Sequence, residues 1–315
     1  MRRAWLVCAC VLAMVSLAQG QIDVSSSGGT SPVSYTTLGA AFSAINAGVH
    51  TDSISIAVTG NTTETAPAAL NGSGGSSSYV SIVIEPSGGA WTITGSILGP
   101  LVDLSGADNV TIDGLNTGGN ALTFENTSTA GGYGHTSGPS TIRFVNDATN
   151  NTIRNVTVNG SCGTSPVSQT GTIYFGSRTS GMPDNVTGND DNTITNCDIG
   201  AAGSNLPVNA IWALGSTSGT TRANSGVVIS DNNIHDFYYA GGASVGMYVI
   251  NGNMDWTISG NSFYQTSPRT QTGGSSQFHY GIYISNYLGT GYDSSGNYMG
   301  GSAPMAGGSP WSVTG

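Results

Sequence analysis

The 315-residue chain has no lysine and only seven arginines, set against 17 acidic residues. With a net charge of −10 it has little with which to neutralise a phosphate backbone, which argues against nucleic acid as a partner. Charged residues of both signs make up 8% of the chain, where a soluble domain ordinarily carries about a quarter. Cysteine is scarce as well. Of the four, Cys8 and Cys10 lie in an N-terminal apolar run, leaving Cys162 and Cys197. Two thiols rule out a disulfide framework. They leave open a single bridge between neighbouring turns of chain, or a Cys197 that fills its place as a small apolar side chain. The four histidines show no metal-ligand spacing, and no EF-hand loop or calcium nonapeptide is present.

Long apolar runs are also missing, with one exception. Residues 4–17 are apolar, follow Arg2-Arg3 and precede Ala18-Gln19-Gly20. A basic start, a short apolar stretch and small residues before Gln21 make residues 1–20 a secretory signal peptide. The run is shorter than the ~20 residues a membrane helix needs. No later segment is a candidate span, so the mature chain is expected to be secreted or held at the cell surface.

What is abundant is glycine, at 48 residues, together with Ser, Thr and Asn, while 37% of the chain is still apolar. The apolar residues recur in register. Residues 34–48 place Leu38, Ala41, Phe42 and Ile45 on one helical face, with Ser34, Thr36 or Thr37 to cap the start and Gly48 to end it. Short alternating strands follow. A pattern of apolar-x-Asn/Asp/Gly-x-x-apolar then repeats every 29 to 41 residues: Ile153-Arg-Asn155, Ile194-Thr-Asn196, Ile229-Ser-Asp231, Ile258-Ser-Gly260 and, more weakly, Ser294-Ser-Gly296. Periods of this size mark stacked architectures. A second strand family interleaves with the first. Its members are Ala121-Leu-Thr-Phe124, Thr141-Ile-Arg-Phe144, Thr172-Ile-Tyr-Phe175, Ala210-Ile-Trp-Ala213, Met247-Tyr-Val-Ile250 and Gly281-Ile-Tyr-Ile284.

Two or more strands per period with a fixed polar corner predict an all-β fold, a right-handed parallel β-helix with a short N-terminal capping helix. Residues 21–52 form the N-terminal segment and residues 53–315 the solenoid. Asn tolerates the left-handed corner, and its amide can bond to an equivalent one coil away. Asn232, Asn261 and Asn297 are expected to form one such ladder, with Asn155, Asn196 and Asp231 beside it.

The segments Ser34-Tyr-Thr-Thr-Leu38, Ala41-Phe-Ser-Ala-Ile-Asn-Ala-Gly48, Val58-Thr-Gly-Asn-Thr-Thr-Glu-Thr65, Ala107-Asp-Asn-Val-Thr-Ile-Asp-Gly114 and Gly296-Asn-Tyr-Met-Gly-Gly-Ser302 carry a family likeness. They resemble the β-strand-repeat region of large exported surface proteins of Bacteroidetes-type bacteria. The resemblance spans nearly all the mature chain and implies export and a solenoid; it brings no catalytic set. It also implies further coils beyond Gly315, so the chain reads as an N-terminal fragment whose open end would recruit other strands.

Chemistry is sparser than shape. β-Helices often host polysaccharide lyases and hydrolases. A lyase needs clustered acids and a basic Arg or Lys; an inverting hydrolase needs two spaced carboxylates. The acids to consider are Asp190, Asp191 and Asp231, with Asp198 nearby in the repeat. Asp190 and Asp191 are also the place where calcium could sit as the one possible cofactor. The neutral reading is a polar turn, which favours Asn and Asp. His235-Asp236 reads as an exposed turn. Gly134-His135 resembles part of a polygalacturonase motif but is followed by Thr136. Aromatic residues crowd into the last third. Trp212, Tyr248, Trp256 and Tyr283 are the candidates for stacking on sugar. The expected function is a non-enzymatic solenoid, the stalk or adhesive part of a surface protein. Its partners would be polysaccharide or neighbouring cell-surface components. The alternative is a β-helix lyase or hydrolase.

Overall fold

The computed structural model describes residues 20–130, 138–162, 170–177, 185–273 and 277–315. The signal-peptide reading of residues 1–19, and His135, fall outside these. The chain winds into a parallel β-helix whose coils contribute strands to three long sheets, A, B and C. Coil 1 has His50–Val58 in A, Thr62–Glu64 in B and Ala68–Asn71 in C. Coil 5 has Thr193–Thr195, Asp198–Ala201 and Asn209–Ala213; coil 6 has Val228–Ser230, Asn233–His235 and Ser244–Val249. Coil 7 has Thr257–Ser259, Ser262–Tyr264 and His279–Ile284, and coil 8 continues with Asp293–Ser295 and Tyr298–Met299.

The register between coils is continuous, so equivalent side chains form columns. In sheet A the inward column is Ile56, Ile84, Ile112, Ile153, Ile194, Ile229 and Ile258, all buried. In sheet B it is Ile93, Phe124, Val158, Ile199, Ile234 and Phe263. Sheet C adds Leu70, Leu104, Phe144, Phe175, Ala213 and Val249. Side chains alternate faces along a strand, so a fixed register keeps each apolar column inside. The rings of Phe144 and Phe175 stack at 4.5 Å with their planes 4° apart.

The sequence pattern of one strand and a polar corner is in fact two strands. Ile153 lies in a sheet A strand that ends at Arg154, Asn155 turns the corner, and Val158 is already in sheet B. The corner residue is left-handed in successive coils: Asn155 at φ 56°, Asn196 at 53°, Asp231 at 56°, Gly260 at 69° and Gly296 at 63°. A one-residue corner makes A and B look like a single motif and hides the third sheet. Ala121–Phe124 is regrouped for the same reason. It lies in sheet B, paired with Ala90–Ile93 and with Thr157–Val158, apart from the sheet C strands it was grouped with.

Behind each corner sits a buried side chain. Asn261 Oδ1 accepts from the Asn232 backbone N–H (3.1 Å) and from Asn232 Nδ2 (2.9 Å). Asn297 Oδ1 serves Asn261 in the same way, at 3.0 Å for each bond. The amide nitrogens of Asn232, Asn261 and Asn297 donate in turn to the carbonyls of Ile194, Ile229 and Ile258. Cys197 stands one coil below and donates its N–H to Asn232 Oδ1. No disulfide joins it to Cys162. Its thiol donates to the Ile153 carbonyl, and burial pushes its pKa up to about 12. The expected second ladder does not form. Asn155 Nδ2 bonds Asp113, Asn196 Nδ2 bonds Thr195, and Asp231 packs over Gly260. Among the described residues no side-chain bond joins these three, because a left-handed corner turns its side chain outward.

Two further ladders escape the sequence reading. Asn151 and Asn192 bond one another, as do Asn189, Asn224 and Asn253, all fully buried at the corner from sheet C to sheet A. The helix Leu38–Asn46 packs Leu38, Ala41, Phe42 and Ile45 onto the first coil. Thr37 caps it, and the buried Glu64 carboxylate accepts the Leu38 and Gly39 N–H groups, where the helix dipole favours negative charge. Ile22–Gly29 adds antiparallel to His50–Val58, so a strand as well as the helix covers the first coil.

Replacing Asn261 by Ala would take the side-chain partner from the Asn232 N–H and the Ile229 carbonyl and leave Asn232 Nδ2 with its Ile194 bond alone. Each buried orphan costs about 1–3 kcal/mol, partly relieved by relaxation. Chemical denaturation of Asn261→Ala is therefore expected to show a loss of about 2–4 kcal/mol.

Candidate functional site

The corner from sheet C to sheet A is a four-residue turn whose third residue is left-handed. It reads Ala107-Asp-Asn-Val110, Ala148-Thr-Asn-Asn151, Asn189-Asp-Asp-Asn192, Asn224-Ser-Gly-Val227, Asn253-Met-Asp-Trp256 and Gly289-Thr-Gly-Tyr292. Asp191, at φ 55°, is thus equivalent to Asn109, Asn150, Gly226, Asp255 and Gly291. Asp190 Oδ1 accepts the Ser225 N–H of the next coil at 2.8 Å. Burial raises the Asp190 pKa, and the neighbouring Asp191 and Asp147 charges add to the effect. Asp231 is the corner between A and B, and Asp198 stands on a sheet B strand. The four acids therefore occupy three places on the coil perimeter and do not converge on one groove. Among the described residues no group of three His, Cys, Asp or Glu side chains is arranged to hold a metal ion.

Asp198 belongs to a different cluster. His235 lies on the outer face of sheet B, with Nε2 3.2 Å from Asp198 Oδ1 and Nδ1 3.1 Å from Asp236 Oδ2. Its ring stacks with Tyr264 of the next coil, with centroids 5.0 Å apart and planes 20° apart. On the other side it lies over Gly200, where a Cβ would come within 2.6 Å of the ring. Its side chain is only 17% exposed, so it is no exposed turn residue. Desolvation lowers its pKa, but the two carboxylates outweigh that and hold it at about 9. Asp236 is itself bonded by Thr266 and Arg269 and sits at about 2 despite its burial. The spacing did carry a signal. Asp198 and His235 both flank inward isoleucines, Ile199 and Ile234, that face one another across the coils.

The aromatic residues divide. Trp256 is fully buried; its ring meets Phe175 at 5.3 Å and its Nε1 donates to the Asn224 carbonyl. It is a core residue with no face for a ligand. Alternation with Ile258 already pointed it inward. The remaining candidates share one outward column of sheet C. Asp103, Arg143, Tyr174, Trp212, Tyr248 and Tyr283 stand in register, one per coil. The column starts with a buried bidentate pair, Arg143 to Asp103, with both bonds at 2.8 Å. Tyr174 and Trp212 are buried, at 0% and 3% exposure, and among the described residues neither Tyr174 Oη nor Trp212 Nε1 has a hydrogen-bond partner.

From Trp212 onward the column opens. Trp212 meets Tyr248 edge-on at 4.5 Å, and Tyr248 meets Tyr283 at 4.9 Å. Tyr283 stacks with Tyr280 at 4.9 Å, and Tyr280 with Phe278 at 5.8 Å. Tyr248, Tyr280 and Tyr283 are half-buried and Phe278 is 62% exposed. Burial raises the Tyr248 phenol, and the adjacent Tyr283 and Tyr280 phenols add to this. The result is a hydrophobic ridge with hydroxyls at its edges and no formal charge. Aromatic faces of this kind take apolar ring surfaces while their hydroxyls bond polar rims. Sequence reasoning singled out Tyr248 and Tyr283 by alternation and counted Tyr280 among the crowded aromatics, but missed Phe278, which directly precedes the strand His279–Ile284.

No family model matches the chain, and no curated protein matches it. Among solved structures it is similar to the crystal structure of PfbA, a surface adhesin of Streptococcus pneumoniae, at 14% identity and a TM-score of 0.47. The match covers 83% of this chain, which spans 66% of that chain's length.

Two substitutions separate corner from core. Asp191→Asn places at this corner the residue native to two equivalent turns, and its stability is expected to stay within about 0.5 kcal/mol of the parent. Trp256→Ala removes a buried indole and is expected to cost about 3–5 kcal/mol, read from denaturant unfolding.

Proposed function

We propose that this chain is an exported, non-enzymatic β-solenoid that acts as the adhesive or stalk part of a cell-surface protein and contacts carbohydrate through sheet C. The observation that carries the reading is the contiguous ridge of Tyr248, Tyr280, Tyr283 and Phe278. Exposed, contiguous aromatic area of this kind marks an interaction site. Sugar rings suit it because their C–H faces stack on aromatic planes while their hydroxyls reach the phenols. Adjacent strands lie about 4.8 Å apart, so a ligand running along the solenoid axis would meet Tyr248 on coil 6 and then Tyr283 on coil 7. A polysaccharide offers that repetition. Export fits the signal-peptide reading. Among the described residues no helix is long and apolar enough to cross a membrane.

The enzymatic alternative would draw on Asp190, Asp191 and Asp231. Their separation between two corners weighs against it, as does the equivalence of Asp191 to Asn109, Asn150 and two glycines. No cofactor enters the reading; calcium at Asp190 and Asp191 is treated as a variable to be tested.

The test is a depletion assay on residues 21–315 with pectic, algal and glucan polysaccharides, with and without calcium, followed by product analysis. Retention without new reducing ends is the expected result. Tyr283→Ala should weaken retention several-fold, in line with about 1 kcal/mol for an aromatic contact, while leaving the fold intact. New reducing ends or unsaturated products that vanish in Asp191→Asn would overturn the proposal in favour of the enzyme.

A further inference from the structure

Independently of any ligand, the outer face of sheet B carries a device that the fold alone does not require. Both ring nitrogens of His235 face carboxylate oxygens, at 3.2 Å to Asp198 and 3.1 Å to Asp236. A neutral imidazole has one N–H and one lone pair. It satisfies one carboxylate and points its lone pair at the other. Only the imidazolium donates to both.

The three residues belong to different coils or link them. Asp198 is on coil 5, while His235 is on coil 6 with Asp236 at the end of its strand. From coil 7, Tyr264 lays its ring on the imidazole. Thr266 donates to Asp236 through its N–H at 2.9 Å and through its hydroxyl. Arg269 bonds the same carboxylate and donates from Nε to Gln265 at 2.7 Å, and Gln265 reaches back to the Phe237 carbonyl of coil 6. The Arg269–Thr270 strand in turn pairs with Val313–Thr314, so the network extends to the last strand of the described chain. The groups facing the imidazole are therefore two carboxylates, one phenol and, through Asp236, one guanidinium.

We infer that His235 is a proton-operated clamp that ties coils 5, 6 and 7 together and releases them as the surroundings turn alkaline.

The sign follows from which form the folded state prefers. The folded protein favours the charged ring, so the His235 pKa rises from 6.5 to about 9. A raised pKa contributes stability that is complete below the unfolded value and is lost as pH climbs to the folded one. The clamp therefore weakens between about 6.5 and 9. Tyr264 does not interfere in this range, because its phenol is pushed up to about 12. Asp236, at about 2, remains charged throughout. The protein has internal controls. Burial lowers the pKa of both His50 and His279, so these rings lose their protons before His235 does.

The experiment is an NMR titration of the histidine ring protons in the chain from residue 21, with His235 assigned by its absence in His235→Gln. Hydrogen exchange, corrected for the intrinsic pH effect, is followed in parallel in coils 5–7 and in the strands Tyr79–Pro86 and Ala90–Gly95. With the His135 ring assigned in the same way by His135→Gln and set aside, the expected result is a His235 ring that titrates well above 6.5, with the two controls below it. Protection of coils 5–7 should drop at least tenfold relative to coil 2 between pH 6.5 and 9, and His235→Gln should abolish that differential. Should His235→Gln fail to fold, Asp198→Asn serves. Its carboxylate is nearly half exposed, and its loss should move the His235 midpoint down by a unit or more. A His235 ring that titrates at or below 6.5 would overturn the inference. So would a pH response of coils 5–7 that matches coil 2, or a midpoint that ignores Asp198→Asn.

Discussion

Every coil of this solenoid must turn its corners without leaving a buried peptide group unpaired. Strand pairing between coils satisfies the backbone along the sheets. At the corners the backbone swings away from its neighbours, and a buried N–H left there would cost a substantial part of a marginal stability. The chain meets this with a left-handed residue on the outside and, behind it in the later coils, the amides of Asn232, Asn261 and Asn297, whereas Val156 and Cys197 fill that place in coils 4 and 5. Asn carries both donors and an acceptor on a short stem, so one side chain accepts from the coil below and donates to a carbonyl. Because each amide bonds its own copy one coil away, slipping the register by one residue would break every rung of the ladder at once. Columns of isoleucine and phenylalanine specify the same register, since the same slip would turn every one of them outward.

The same constraint explains what could and could not be read from sequence. The A-to-B corner is a single residue, so Ile-x-Asn-x-x-Ile keeps a constant length and repeats visibly. The C-to-A corner keeps only a left-handed backbone and an inward fourth residue, which Asn-Asp-Asp-Asn192, Asn-Ser-Gly-Val227 and Asn-Met-Asp-Trp256 satisfy with different chemistry. Loops of uneven length precede it, so neither spacing nor composition announces it. Asp190-Asp191 therefore looked like a motif when it is one spelling of a turn. Trp256 looked like surface because it is aromatic, although its place in the turn and its alternation with Ile258 put it inside. The strand Ile22–Gly29 was missed because Ser25-Ser-Ser-Gly-Gly shows no alternation; its second half is held by backbone pairing and by serine hydroxyls such as Ser27 Oγ, which accepts the Ser53 N–H. The His235 cluster was hidden for a further reason. Its partners come from three coils, and only the strand register brings residues 198, 235, 264 and 269 together.

With so few charges, the placement of each ion pair is informative. Arg143 with Asp103, Arg154 with Asp113, and Arg269 with Asp236 all join one coil to another. None is a pair along a single strand. Exposed pairs contribute little, as the half-exposed Arg154 must. The buried Arg143–Asp103 pair pays its desolvation through two bonds of good geometry and gains its value as a marker of register. Its place at the closed end of the sheet C column matters too, since the aromatic residues that follow it then stand one per coil in line.

A solenoid built this way separates shape from function by residue parity. Inward positions are held by the columns, and outward positions are free to differ from sheet to sheet: hydroxyls on much of sheet A, an ionic cluster on sheet B, aromatic rings on sheet C. The faces are nonetheless not independent where the core is thin. Gly246 lies on the sheet C strand between Val245 and Met247, and a Cβ there would come within 2.6 Å of Phe263 and 3.0 Å of Phe237. Phe263 is the inward neighbour of Tyr264, and Phe237 follows Asp236. The strand that carries Tyr248 thus packs directly against residues adjoining the His235 cluster. Close-packed interiors leave little slack, so sheet B in coils 6 and 7 and the strand beneath the aromatic ridge share one packed layer. The two outer features are coupled by geometry, through two phenylalanine rings and a glycine that has no room for a side chain.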